Sequence, residues 1–543
     1  MFSQRDALQL FISSLLTVNS LSLGAEPERA RPMADKVSGN VRVWVFFADK
    51  GLADDAERDA ALQAVEQTYP ERALLRRALR RSEAGLVDER DIPVCQRYIN
   101  DLVESGATLR VASPWLNAVS VDVPAERLTQ IAGLPAVRAI EPVRKGIRQS
   151  VVPAVEVTRS NNIAPRDVYG YSSAQLAQIT VTNMHAAGYA GAGVIVGILD
   201  TGFNRTHVAF NQPGHVVNVL AEYDFVNGDN NAAPEAGDDP DQMMHGTLIL
   251  GCIGAYLPNT LVGGAYDASF VLAKTEDVTQ EVPVEEDNYV AGLQFLEAHG
   301  ADLATSSLGY IDWYTQADLD GATAVTTIAV NTATDNGLIC LTAAGNAGND
   351  GNPATSSLIA PADALRVLTC GAADVNGALT SFSSDGPTAD GRVKPEVLAC
   401  GYHTYTVYPY DTTSIAYASG TSLSTPLVAA AVACLLQQHP TWGVAQVRKA
   451  LMLTANTYVS TGTFDPLFAR GYGVINTFAA GQQPGCLGDF NGDGHIDLGD
   501  LALLLGNYGD HGAVRYKDGD IDTDGDIDLA DLAAVLAAYG GGC

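Results

Sequence analysis

Three short segments of the 543-residue chain carry side chains that together could transfer an acyl group: Asp200-Thr201-Gly202, His245-Gly246-Thr247 and Gly420-Thr421-Ser422-Leu423-Ser424-Thr425-Pro426. Acyl transfer by serine needs a hydroxyl, an imidazole to take its proton and a carboxylate to orient that imidazole. Ser422, His245 and Asp200 supply one of each. The developing oxyanion needs a donor, and a side-chain amide serves. Asn346 follows the apolar run Leu338–Thr342 in a glycine-bounded turn, which makes it the candidate.

A second chemistry is written twice. Residues 489–500 read DFNGDGHIDLGD and residues 520–531 read DIDTDGDIDLAD, at an offset of 31. Both fit the arrangement of a Ca²⁺ loop, which gathers oxygens from side chains at positions 1, 3, 5, 9 and 12 and a backbone carbonyl at position 7. The first loop offers Asp489, Asn491, Asp493, Asp497 and Asp500, with His495 giving its carbonyl. The second offers Asp520, Asp522, Asp524, Asp528 and Asp531, with Asp526 giving its carbonyl. Gly494 and Gly525 permit the sharp turn, and position 12 is Asp in both. An apolar helical pattern follows each loop, Leu501, Leu504, Leu505, Tyr508 and then Leu532, Val535, Leu536, Tyr539, while no helix precedes either. Two Ca²⁺ ions are the expected cofactors, and the acyl chemistry needs none.

Both sets of residues require a frame. From about residue 165, apolar runs ending in small residues alternate with helical stretches. Val194–Leu199 runs into Asp200, Phe270–Ala273 precedes a helical 287–299, and Ala301–Ser306 leads to Ser307-Leu308-Gly309. Leu338–Thr342 leads to Ala343-Ala344-Gly345, and Val367–Gly371 follows. Continuous apolar strands separated by helices predict a parallel sheet covered on both faces. Active residues in such folds sit at strand carboxyl ends, where Asp200 and Asn346 fall. Upstream, 41–48 and 136–143 read as strands, 108–123 as extended and 124–133 as a short helix. Residues 53–104 read as charged and helical, with Arg76, Arg77, Arg80 and Arg81 clustered. A small α+β unit therefore closes near Val143, before an irregular basic stretch over 144–148.

The segments GILDTG, HGT, AAGN and GTSLSTP resemble the four signature segments of the subtilisin-like serine proteases, and Asp…His…Ser is the chain order found there. Ser307-Leu308-Gly309, Lys394-Pro395-Glu396 and Gly471-Tyr472-Gly473 are similar to further family segments, so the likeness covers roughly 165–480. It implies a doubly wound α/β fold and a serine endopeptidase, with Asp200, His245 and Ser422 as triad and Asn346 as oxyanion amide. It also implies a cleft for peptide substrates lined by Ser307, Leu308, Gly309, Ala343, Ala344 and Gly345, whose exposed edges would pair with an extended chain. Leu423 and Ser424 stand where the family usually has Met and Ala, and Cys400 replaces a usual Pro; none removes a reacting group. Residues 41–143 resemble the inhibitory propeptide of these enzymes, most clearly at Trp115–Val121 and Leu134–Val137, which implies a zymogen bound by its own propeptide. The duplicated loop-plus-helix units look like a dockerin type I domain, implying a small all-α module and a cohesin-like partner. A bridge between Cys486 and Cys543 would clasp the ends of that module, which is too small to bury a large core. The expected parts are a signal peptide (1–25), a propeptide (26–150), a peptidase domain (151–482) and the calcium module (486–543).

Composition narrows the partners. The 32 Lys+Arg against 63 Asp+Glu give a net charge of −31, which excludes non-specific binding to nucleic acid or anionic lipid. Residues 26–150 are net neutral, 151–485 carry −21 and 486–543 carry −10. The neutral unit holds 19 of the basic residues, and its docking on the acidic remainder would be electrostatically steered. Lys274, Lys394 and Lys449 are the only lysines in 151–485, a composition suited to high salt. Arg5, the apolar stretch Leu8–Leu23 and then Gly24-Ala25 read as a secretory signal, so the expected location is extracellular. No other run reaches the ~18 apolar residues of a membrane span. Cys252, Cys340, Cys370, Cys400 and Cys434 lie in mostly apolar contexts and read as small buried hydrophobes. The competing reading is a catalytically silent peptide-binding scaffold on the same fold, which active-site titration separates. A calcium buffer would account only for 486–543.

Overall fold

The structure is a computed structural model that describes residues 39–143, 145–146, 167–278, 284–311 and 314–543. The expected signal peptide and nearly all of the expected cleavage region at 144–165 lie outside the described residues.

The N-terminal unit is built on an antiparallel sheet of β1 (Asn40–Phe47), β2 (Thr108–Ser113), β3 (Ala118–Pro124) and β4 (Val137–Pro142), in the order β2-β3-β1-β4. Helices α1 (Asp55–Glu66), α2 (Glu71–Arg80) and α3 (Gln96–Glu104) fill the β1–β2 connection, and a short α4 (Leu128–Ala132) precedes β4. β1 is apolar on both faces, and strand alternation sends its residues two ways. Val43, Val45 and Phe47 join Tyr98, Ile99, Leu102 and Ile131 in the unit's own core. Trp44 and Phe46 pack instead with Tyr289, Leu293 and Leu296 of the central domain.

The central domain carries β6 (Ile195–Asp200), β7 (Asn218–Asp224), β8 (Ser269–Lys274), β10 (Leu303–Ser306), β11 (Ile339–Ala343), β12 (Leu368–Ala373) and β13 (Val397–Cys400) in one seven-stranded sheet. The order is β13-β12-β11-β10-β6-β8-β7 and every neighbouring pair is parallel. From β6 the chain goes outward to β7, returns to β8 and then crosses to β10 on the other side. The strand order thus reverses beside β6, which is where a parallel sheet opens a crevice at its carboxyl ends. Along β6, Val196 and Ile198 join the core of α7 (Met244–Gly254) and α10 (Thr421–Gln438). Ile195 and Leu199 join that of α8 (Glu286–Ala298) and α9 (Val325–Asp335). At Gly197 a Cβ would sit 2.7 Å from Leu296 Cδ1, so α8 lies directly on the strand.

Two features depart from expectation. α10 is long and apolar enough to cross a bilayer, a property no segment past the N-terminal stretch was expected to have; it is the core helix, 89% buried in protein. β7 alternates exposed and partly buried residues at the sheet edge, so it lacks the apolar run by which the other strands were read.

In the C-terminal module α12 (Leu498–Gly506) and α13 (Leu529–Ala538) each follow an acidic loop and close over Phe490, Ile496, Leu504, Tyr516, Ile521, Ile527 and Val535. A 3₁₀ turn, Tyr516–Asp518, directly precedes the second loop, where no helical turn was expected. Cys486 and Cys543 are bonded, with Cα atoms 5.6 Å apart.

Candidate active site

Asp200 ends β6 and is fully buried. Its Oδ1 accepts the Thr201 N–H at 2.7 Å, and its two oxygens lie 2.8 and 3.0 Å from His245 Nδ1. A carboxylate only accepts, so Nδ1 carries the proton and Nε2 is left as the basic nitrogen. His245 is the second residue of α7, whose eleven residues are all buried. A Cβ at Gly246 would sit 2.3 Å from Gly202 O, so the loop after β6 touches the backbone of this helix start.

Ser422 is the second residue of α10. Its Oγ donates to Ser307 O at 3.3 Å, and Ser307 Oγ donates in return to Ser422 O at 2.9 Å. The second bond has a local cause. Pro426, four residues on, has no N–H to give the Ser422 carbonyl, and the Ser307 hydroxyl takes its place. Among the described residues Ser422 Oγ makes no hydrogen bond to His245; such contacts are often long before substrate binds.

Asn346, just after β11, accepts the Thr421 N–H on Oδ1 at 2.8 Å and the Thr421 hydroxyl at 2.9 Å. A backbone N–H can only donate, so the atom facing it is the amide oxygen and the other end is the NH₂ donor. The fold thus puts Asp200 at the carboxyl end of β6, Asn346 just past that of β11, and His245 and Ser422 in the first turns of α7 and α10. Ser424, where the family usually has Ala, is buried with its hydroxyl on Gly371 O at 2.7 Å.

The residues expected to line a cleft flank this group, but not as open edges. Ala343, Ala344 and Gly345 are buried. The Ala344 N–H donates to Cys370 O at 3.0 Å, and the Gly345 carbonyl accepts from Ser384 N at 3.0 Å. Ser307 and Leu308 are also buried and only Gly309 is partly exposed. Local strand pattern could not reveal that strand β12, through Cys370, and the loop of Ser384 occupy these backbones. Three supports went unread in the sequence: Thr421, the Ser307 hydroxyl, and the buried Gln242. Gln242 Nε2 donates to Thr201 O at 2.5 Å and also to Glu276 O, while its Oε1 accepts Val278 N at 3.0 Å, tying the loops after β6 and β8. Pro426 was the one available signal, since a helical proline frees the carbonyl four residues back.

Both acidic loops are pre-shaped by their own backbone. Asp489 accepts the N–H groups of Gly492, Asp493 and Gly494, and Asp500 those of Phe490, Asn491 and Asp497. Asp531 repeats the pattern with Ile521, Asp522 and Asp528. Asp520, Asp522 and Asp524 bring carboxylate oxygens within 4.8 Å of one another, as do Asp526, Asp528 and Asp531. Burial, then the Asp524 carboxylate, pushes Asp522 up to about 7, and burial lifts Asp531 to about 6. Asp526 Oδ1 is buried with no hydrogen-bond partner among the described residues. This donor set fits a hard divalent cation. In the first loop Asn491 Nδ2 contacts Asp493 Oδ2 at 3.1 Å, and Asp497 caps α12.

Besides the β1 aromatics, the N-terminal unit reaches the central domain in two further ways. β5 (Lys145–Gly146) pairs antiparallel with β9 (Val284–Glu285), within the stretch expected to be irregular. Backbone pairing needs no side-chain pattern, so the sequence carried no sign of it. The arginine cluster on α2 is buried against carboxylates. Arg77 binds Glu297 at 2.8 and 3.0 Å, and Arg76 binds Glu297 and the carbonyls of Glu297 and Ala301. Arg72 and Arg80 both pair with Asp302, and Arg110 with Asp287.

The chain matches a family model described as the Subtilase family over residues 191–474, just over half its length. Residues 42–156 match a peptidase S8 propeptide domain described for Bacteroidota. The chain is similar to Subtilisin E of Bacillus subtilis (strain 168), 32% identical over 309 residues that are 56% of this chain and 70% of that protein. It is also 32% identical to Subtilisin DY of Bacillus licheniformis, over 56% of this chain and 96% of that protein. Among solved structures it resembles fervidolysin from Fervidobacterium pennivorans, a keratinolytic enzyme related to subtilisin, with a TM-score of 0.57 and 21% identity. That likeness, which is one of fold, covers 84% of this chain but 63% of fervidolysin's length.

Proposed function

The chain belongs to the subtilase family and is a serine endopeptidase, and on that premise we propose that Ser422 is its nucleophile, His245 its general base, Asp200 the orienting carboxylate and Asn346 an oxyanion donor. The observation that carries this reading is the contact of both Asp200 oxygens with His245 Nδ1, at 2.8 and 3.0 Å, at the carboxyl end of β6. His245 Nε2 takes the Ser422 proton as Oγ attacks the scissile carbonyl. The Asn346 NH₂ and the Ser422 backbone N–H hold the oxyanion. His245 then protonates the leaving amine, and water hydrolyses the acyl-enzyme. Ser307, Leu308, Gly309, Ala343, Ala344 and Gly345 form the walls of the peptide cleft. Ser422→Ala should abolish peptide cleavage and labelling by a fluorophosphonate probe while leaving the fold intact by circular dichroism; unchanged turnover overturns the assignment.

The enzyme is exported through residues 1–25 and made as a zymogen whose propeptide, 26–150, stays docked through β5 and the α2 arginines until cleavage near 144–165. The peptidase domain spans 151–482. The module 486–543 binds two Ca²⁺, through Asp489, Asn491, Asp493, His495 O, Asp497 and Asp500 and through Asp520, Asp522, Asp524, Asp526 O, Asp528 and Asp531. Bound calcium supplies fold stability, not bond cleavage. A cohesin-like protein is the kind of partner such a module takes. What supports the calcium assignment is the grouping of the second loop's carboxylates, Asp520 with Asp522 and Asp524 and Asp526 with Asp528 and Asp531, each group within 4.8 Å.

A further inference from the structure

The second acidic loop of the C-terminal module is pressed into the peptidase domain. Asp520 and Thr523 are only 4% and 3% exposed. Thr523, at loop position four between Asp522 and Asp524, has a left-handed φ of 65°. Its carbonyl accepts Arg448 Nη2 at 3.1 Å and its Oγ1 accepts Arg448 Nε at 3.0 Å. Arg448 lies on α11 (Val444–Thr454) of the peptidase domain and is itself buried. Its Nη1 donates to Glu396 Oε1 at 2.8 Å and to the Val367 carbonyl. Lys394 Nζ binds the same two groups, at 2.5 Å to Glu396 and 2.8 Å to Val367 O. One guanidinium therefore joins the backbone of the loop to a buried charged cluster of the peptidase domain.

The fit is close on either side. A Cβ at Gly525, position six of the loop, would meet Arg392 Cδ at 2.4 Å. Lys449, beside Arg448, donates to Cys486 O at 2.8 Å and sits 4.7 Å from the Tyr516 ring centre. Arg448 grips a carbonyl and a hydroxyl of the loop, and among the described residues it makes no hydrogen bond to Asp520, Asp522 or Asp524. Those three carboxylates face one another within 4.8 Å, and a cation between them would set the backbone that carries Thr523. In the first loop, by contrast, Asn491 and Asp493 are exposed.

We propose that the second loop is a calcium-dependent latch in cis: Ca²⁺ held by Asp520, Asp522, Asp524 and Asp531 fixes Thr523 in the geometry that Arg448 grips, so that metal binding and docking of the module onto the peptidase domain are coupled. The proposal rests on the calcium reading above. Coupling of this kind is reciprocal, so docking also raises the affinity of the second loop. A partner in trans is then confined to the first loop, because the second is occupied by the enzyme's own surface.

The test uses the full chain carrying Ser422→Ala, so that self-digestion is silent. Terbium luminescence and calorimetric Ca²⁺ titration give the stoichiometry, and hydrogen exchange follows the amides of Val444–Thr454 with and without Ca²⁺. Two ions should bind, and chelation should speed exchange in α11 about tenfold or more, because the docked state loses its linked ligand. Asp524→Asn should reproduce the faster exchange in calcium while one ion stays bound. Arg448→Lys should weaken Ca²⁺ binding to one of the two sites; if that variant does not fold, Asp524→Asn carries the test alone. Two bound ions with unchanged exchange in α11 overturn the latch and leave the calcium reading standing. No bound ion overturns the calcium reading and the latch together.

Discussion

Asn346 is anchored at its oxygen end by the backbone and hydroxyl of Thr421, the residue next to Ser422. Its replacement therefore removes a donor while the start of α10 keeps its other contacts. Asn346→Ala should lower kcat by ~10²–10³ with little change in KM, the pattern of an interaction made only in the transition state, measured by steady-state kinetics on a peptide substrate. A second side chain sets acid stability. His207 Nδ1 accepts the Ala209 N–H at 3.1 Å, so its Nε2–H donates to Ser414 O at 3.0 Å and the ring is fully bonded when neutral. Burial lowers its pKa below the ordinary 6.5 despite the Ser414 carbonyl and Asp411. The unfolded chain then binds this proton first as pH falls through 6.5, so the contribution of His207 to stability declines from there downward. Thermal unfolding at pH 8 and pH 5 should therefore show His207→Gln losing less stability towards acid than the parent protein; an equal change in both proteins would count against His207.

At the scale of elements, α2 shows how a charged helix becomes an interface. Its arginines look solvated in the sequence, yet Arg76 and Glu297 have side chains only 1% exposed. Arg77 also pairs with Asp91 of its own unit, so Arg76 is the cleaner probe of the contact. Arg76→Met removes charge-assisted bonds worth about 1.5–3 kcal/mol, while Glu297 keeps Arg77. The isolated propeptide carrying this change should inhibit the mature enzyme in trans with a Ki raised roughly ten- to hundredfold; an unchanged Ki would mean that β5 and the β1 aromatics carry the docking. The β5–β9 pairing illustrates a contact that no residue type announces, because main-chain groups make it. The clustering of Arg76, Arg77, Arg80 and Arg81 was legible, but its acceptors Glu297 and Asp302 are ordinary acidic residues until the fold brings them under α2.

Over the whole molecule, the charge of −31 is divided between a neutral N-terminal unit and an acidic remainder. With no net charge on the N-terminal unit, it is the local arginine patch of α2 that steers the encounter, while the arginine–carboxylate pairs that hold the docked state are buried and poorly screened. Raising NaCl from 0.05 to 0.5 M should therefore slow association of the propeptide with the mature enzyme and leave dissociation nearly unchanged, by stopped-flow fluorescence. A dissociation rate that rises as steeply as association falls would place the decisive charges on the exposed rim. Ten of the negative charges of 486–543 fall in two short loops; on the proposed calcium reading hard cations need many oxygens, and bound Ca²⁺ would offset part of the repulsion.

The sequence by itself determined the chemistry on offer: Asp200, His245, Ser422 and Asn346 as the proposed reacting groups, the two oxygen-rich loops, and the apolar strands that announce a parallel sheet. These signals are local, since residue type, short spacing and strand or helix period survive in a linear string. The tertiary structure alone decided which groups meet. Asp200 and His245 come together because the strand order reverses beside β6 and α7 packs across that point. Ala344 is covered because the neighbouring strand β12 hydrogen-bonds to it at Cys370, and Gly345 because Ser384, from a loop remote in sequence, does the same. Nothing in the sequence singles out Arg448, and only the packing of one domain on another turns it into the grip on Thr523. Burial and pairing across long chain separations depend on the whole packing arrangement, and no window of sequence contains it.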